Sequence, residues 1–214
     1  MKRTWLGSRL ALALVSLLAI AACDSAGPLA GPEGAPDGTA AFDAFEASVV
    51  SQARASGIDP MAPAPESPIA QAGGERGYVF VQGTVGDSAV EAVVGSQGGV
   101  LNLGNHWLLV PKNAVRGSVR FRMVPISDGT FHVDLTATAV GRGPESENDV
   151  GRSGFRTPVY LAFHYVDGAP VDPASLQVAW LTNGSLIAQQ TFIYDEEWAV
   201  GVLRHFSGYV LVSN

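Results

Sequence analysis

Lysine is almost missing from this chain: of 214 residues only Lys2 and Lys112 are lysine. Cysteine is rarer still. Cys23 stands alone, so no disulfide can form within the protein and the fold must rest on buried apolar surface. Charged residues make up only 15% of the chain, and the formal net charge is −7. It becomes −10 if residues 1–22 leave and take Lys2, Arg3 and Arg9 with them. An acidic, lysine-poor surface argues against nucleic acid as a partner, because phosphate binding needs clustered Lys and Arg. It argues equally against a polybasic grip on anionic lipid. No apolar run beyond residue 22 is long enough to cross a hydrocarbon core of ~30 Å as a helix.

The first two dozen residues carry the clearest pattern. Behind a basic head, residues 10–22 form a 13-residue apolar run that stops at Ala21-Ala22-Cys23. The run is too short to span a bilayer and has the proportions of a signal-peptide core followed by small residues at a cleavage point. These residues resemble the lipobox of bacterial lipoproteins, in which the cysteine is acylated and becomes the new N-terminus. The expectation is a signal peptide over 1–22, a lipid on Cys23 and attachment to a membrane of the bacterial cell envelope. Two or more acyl chains suffice for that, at ~0.8 kcal/mol per buried methylene. Which membrane is left open.

Residues 23–75 are rich in Ala, Gly, Pro, Ser and acidic side chains, a composition that buries too little surface to offset ordering, and are expected to form a disordered tether. Inside them the island 40–57 sets Phe42, Phe45 and Val49 at helical spacing and ends at Gly57. It reads equally as a short helix or as a transient one, since isolated helices of this length are marginal.

From residue 76 onward short β-branched and aromatic runs alternate with turn signals. Strands are predicted at 78–85, 89–94, 100–103, 107–110, 119–124, 130–140, 158–165, 176–181, 186–194, 198–203 and 208–212. Gly86-Asp87, Gly104-Asn105, Asp128-Gly129, Asp167-Gly168 and Asn183-Gly184 separate several of them, and such dipeptides favour tight hairpins. The prediction is an all-β, antiparallel sandwich over 76–214, large enough for one core.

Two segments resemble the ZU-five domain, the β-sandwich of zona-occludens proteins, netrin receptors and ankyrins. One runs through Gly95, Gly98-Gly99, Val110-Pro111 and Asn113-Ala114-Val115, with Asn at 113 where the family has Gly. The other is Trp198 followed by Leu203-Arg204-His205-Phe206-Ser207-Gly208-Tyr209. The resemblance covers roughly 78–214; because no complete active site can be assembled from the sequence, the expected role is a non-catalytic display or protein-interaction module, with an envelope or extracellular protein as partner.

In some relatives the segment matching His205-Phe206-Ser207 cuts its own backbone between Phe and Ser. The resemblance therefore also implies an alternative, self-cleavage with Ser207 as nucleophile and His205 as proton acceptor. On an extended strand residues two apart share a face, which would set His205 beside Ser207. The mixed character of residues 203–212 fits equally a strand covered on both faces or a bulge near Gly208.

Other residues carry weaker patterns. His106, His132, His164 and His205 follow no metal-ligand spacing. Glu145, Glu147 and Asp149, with Asp167 and Asp172, are hard oxygen donors that would suit calcium but lack a glycine-centred loop. A second alternative is therefore a ligand- or calcium-binding sandwich using these loops or Trp107, Trp180 and Trp198. Gly98-Gly99 precedes no helix and no phosphate-binding lysine, so no cofactor is expected.

Overall fold

The alternation read from the sequence builds two stacked antiparallel sheets. A computed structural model describes residues 39–63, 70–71, 77–141, 150 and 154–214. The signal peptide, Cys23, the remainder of the expected tether and the loop with Glu145, Glu147 and Asp149 lie outside the described residues. In chain order the elements are α1 Thr39–Ala55, β1 Ala70–Gln71, β2 Val79–Phe80, β3 Val90–Val94, β4 Gly99–Leu103, β5 His106–Val110 and β6 Val119–Pro125. Then follow β7 His132–Ala139, β8 Val159–His164, β9 Leu176–Thr182, β10 Ser185–Ala188, β11 Gln190–Tyr194, β12 Trp198–Leu203 and β13 Gly208–Ser213. Sheet 1 has the order β1-β10-β9-β13-β7-β6-β3, with β2 also against β13; sheet 2 runs β11-β12-β8-β5-β4.

The expectation of an all-β sandwich holds. β6 shows the rule most simply. Val119, Phe121 and Met123 point into the space between the sheets, while Arg120 and Arg122 face water. One predicted strand, 186–194, is instead two. Gln189, 4% exposed, is where the chain leaves sheet 1 after β10 and enters sheet 2 as β11. Its backbone N–H donates to the Val178 carbonyl at 2.8 Å and its side chain to Ile187 O at 3.0 Å. Read as one strand, 186–194 conceals the crossing at Gln189-Gln190-Thr191, because large apolar residues on both sides are buried, Leu186 in a cluster on sheet 1 and Phe192 in the cluster beneath α1.

β5, β8 and β12 alternate between two buried environments rather than between core and water. On β8, Val159, Leu161 and Phe163 enter the inter-sheet core, while Tyr160 and Ala162 face outward. That outer face is covered by α1, which lays Phe42, Phe45, Val49 and Ala53 along one side. Phe45 meets Trp107 edge-on at 5.3 Å between ring centroids. Gly98 makes room for this: a Cβ there would lie 2.8 Å from the Phe42 ring and 2.6 Å from Val110 O. Residues 39–63 are thus packed structure, not tether. What the sequence could not display was the apolar face that stabilises an otherwise marginal helix.

The helix ends as its sequence predicts. Gly57 takes φ 76°, its N–H bonds to Arg54 O and the Ile58 N–H to Ala53 O, a Schellman closure in which Ile58 also packs on the same cluster. Polar ties flank the contact. Lys112 pairs with Asp43 at 2.6 Å, and one Arg204 nitrogen donates to the carbonyls of Pro60 and Ala62 at 2.6 and 2.5 Å.

Candidate functional site at the crossover from β12 to β13

Residues 204–207 carry the chain from sheet 2 to sheet 1, so His205, Phe206 and Ser207 belong to neither strand. The two-residue alternation that would put His205 beside Ser207 does not operate here. Among the described residues no hydrogen bond joins them. Phe206 is the anchor of the crossover. It is 6% exposed and packs edge-on against Phe155 at 4.7 Å and Phe121 at 5.5 Å. Backbone bonds fix both ends of the segment: Phe155 N–H to Arg204 O at 3.1 Å and Leu135 N–H to Ser207 O at 3.0 Å.

His205 lies on the Trp180 ring, 4.2 Å between centroids. The Tyr209 hydroxyl donates to His205 O at 2.8 Å and lies 3.3 Å from His205 Nδ1. With its one proton committed to the carbonyl, the phenol is an acceptor toward the ring, which places the imidazole proton on Nδ1 and leaves Nε2 basic. Burial lowers the pKa of His205 and raises that of Tyr209, so both are uncharged near neutral pH.

A second histidine, absent from the sequence-based site, reaches the same region. His132 opens β7, which pairs with β13 through Gly208↔Asp134 and Val210↔His132. Its Nδ1 bonds to Asp128 Oδ2 at 2.7 Å. Asp128 Oδ1 in turn accepts from Thr130 N at 3.0 Å and Thr130 Oγ1 at 2.6 Å. Burial opposes the Asp128 charge, yet these bonds hold its carboxyl below the usual range. The proton is therefore directed to Nδ1 and the lone pair to Nε2, which lies 3.6 Å from where a Cβ on Gly208 would sit. Glycine at 208 leaves that space open beside Ser207. An oriented carboxylate–imidazole pair of this kind can accept a proton from a hydroxyl brought within reach. The sequence signal was the Asp128–His132 spacing across a turn, legible only once β7 and β13 are known to be neighbours.

The other candidates have structural roles. Trp107 is 2% exposed, in the cluster beneath α1, whereas Trp180 and Trp198 are half-buried. Asp172 caps a short 3-10 turn by accepting from Ala174 N at 3.0 Å, and Asp167 is bound by His164 and Asn105. Asn113 takes φ 62°, a left-handed conformation that asparagine tolerates better than most residues with a Cβ. Among the described residues no group of three or more His, Cys, Asp or Glu is arranged to hold a metal, and no helix is long and apolar enough to cross a membrane. Compared with models of protein families and with curated proteins, the chain matches none.

Proposed function

We propose that this protein is a lipid-anchored component of the bacterial cell envelope that displays a non-catalytic, ZU-five-like sandwich as a protein-interaction module. The observation that carries the reading is the lone Cys23 behind a basic head and a 13-residue apolar run. The placement of His205 and Ser207 on a crossover between the sheets, rather than on one face of a strand, favours a recognition surface over an active site. The test is metabolic labelling with an alkyne fatty acid in a bacterial host. The parent is labelled and sediments with membranes; Cys23→Ala is unlabelled and does not. Equal labelling of both, or an unlabelled parent, overturns the anchor.

Self-cleavage is the second reading, favoured by the Asp128–His132 pair aimed at Gly208. The Ser207 hydroxyl would add to the Phe206 carbonyl carbon, giving its proton to an imidazole. The C–N bond would then break with that proton passing to the Ser207 nitrogen, and water would hydrolyse the resulting ester. Intact mass under denaturing conditions tests it. Loss of residues 207–214 from the parent but not from Ser207→Ala establishes cleavage, and His132→Gln beside His205→Gln tells which ring serves as base. Full-length mass after long incubation of the folded parent removes this reading.

A further inference from the structure

At the opposite end of β12 a histidine stands between two carboxylates. His164 closes β8, and its Nδ1 lies 2.6 Å from Asp167 Oδ2. Its Nε2 lies 3.4 Å from Glu197 Oε2, on the turn between β11 and β12. Asp167 also accepts from Asn105 Nδ2 at 3.0 Å, and Trp198 covers the imidazole at 5.0 Å while donating its indole N–H to Asn105 O. His164, Asp167 and Trp198 together thus link the β4–β5 turn, the end of β8 and the β11–β12 turn.

The β11–β12 turn is under strain. Asp195 and Glu196 sit at φ 49° and 58°, left-handed conformations that are unfavourable for residues with a Cβ, and no glycine relieves them. Three successive carboxylates, Asp195, Glu196 and Glu197, add mutual repulsion. The turn is pinned from β8 and the residue after it: Tyr165 Oη donates to Glu196 O at 2.6 Å, the Tyr165 N–H to Glu197 O at 3.1 Å, and His164 reaches Glu197. Within the turn, the Glu197 N–H donates to Tyr194 O at 3.3 Å.

Only an imidazolium has N–H on both nitrogens. A neutral His164 keeps its proton on Nδ1, where the short bond to Asp167 holds it, and then turns a lone pair toward the Glu197 carboxylate. We propose that His164 is a proton-operated latch: charged, it ties the strained β11–β12 turn to Asp167; neutral, it lets the turn go. The charged groups facing it are Asp167 after β8 and Glu197, with Asp195 and Glu196 on the same turn. Beneath it lies His106, whose Nδ1 accepts the His164 backbone N–H at 3.0 Å and whose Nε2 then donates to Thr84 O at 3.1 Å. That commitment, with burial, keeps His106 neutral, so of the two histidines only His164 faces a carboxylate from each of its ring nitrogens.

The test is amide exchange by NMR on the full chain at pH 5 and pH 8, corrected for intrinsic rates and read at Glu197 and Tyr165. In the parent, protection should fall about two- to five-fold from pH 5 to pH 8, the range expected of an exposed ion pair. His164→Gln and Glu197→Gln should hold the parent's pH 8 value at both. Glu197 is half-exposed on its turn, so Glu197→Gln carries the test even if His164→Gln folds poorly. Protection in the parent that does not change with pH overturns the latch, and so does a fall that persists in Glu197→Gln.

Discussion

Acid should destabilise this protein through His106, and the size of the effect follows from its surroundings. The side chain is 3% exposed, between the edges of Phe131 and Phe163, with both ring nitrogens already engaged. Burial lowers its pKa from 6.5 to about 4, against smaller raising contributions from the Thr84 bond and Asp167. A second proton would also displace the His164 N–H from Nδ1. The unfolded chain takes up this proton near 6.5 and the folded chain only near 4, so the contribution is complete above pH 6.5 and is lost as the pH falls toward 4. At ~1.4 kcal/mol per pH unit the loss comes to ~3 kcal/mol. Urea unfolding of the parent and of His106→Gln at pH 7, 5.5 and 4 isolates it, because the other titrating groups are shared. The variant is less stable at pH 7, and the gap should narrow by ~3 kcal/mol by pH 4. A gap that stays constant would refute the burial argument.

Four further substitutions probe the packing and the docking of α1. Gly201→Ala puts a methyl group 2.7 Å from Val178 Cβ, across the inter-sheet space, and should cost ~1–3 kcal/mol by thermal melting. Phe206→Ala empties the crossover anchor and should cost ~3–5 kcal/mol in urea unfolding, with loss of near-ultraviolet signal from the aromatic cluster. If α1 is held by apolar contact, Val49→Ala should cost ~1–2 kcal/mol, from the methyl groups removed and the cavity they leave. Lys112→Ala, which breaks a pair whose side chains are 33% and 46% exposed, should then cost under ~1 kcal/mol. The reverse order would assign the docking to charge.

The strands facing water on one side were legible, because a period of two with turn dipeptides at its ends has few other readings. β6 and the Asn183-Gly184 hairpin are of this kind, with Asn183 and Gly184 both left-handed as such a turn requires. The strands covered on both sides were harder. In β13, Tyr209 and Leu211 enter the inter-sheet core while Val210 and Val212 join an outer cluster with Tyr78 and Phe80. That is one of the two explanations the mixed sequence allowed, and only the neighbours decide between them. The same limit governs the candidate site. His205, Phe206 and Ser207 are contiguous and so could be read directly, whereas Asp128 and His132 come to Gly208 only through the pairing of β7 with β13. His164 and Glu197 likewise meet only because β8 pairs with β12.

The position of β13 also sets an order of events. It lies in the interior of sheet 1, between β9 on one side and β7 with β2 on the other, and it follows all three in the chain. During synthesis, then, the earlier strands of that sheet wait with open edges until residues 208–213 arrive. α1 waits as well, since Val200 and Val202, on which it rests, are made some 150 residues after it. Contacts of such long sequence separation form slowly, because loop closure must precede them. A sheet built this way closes only when residues 208–213 enter between strands made earlier, so its completion is set by its longest-range pairings.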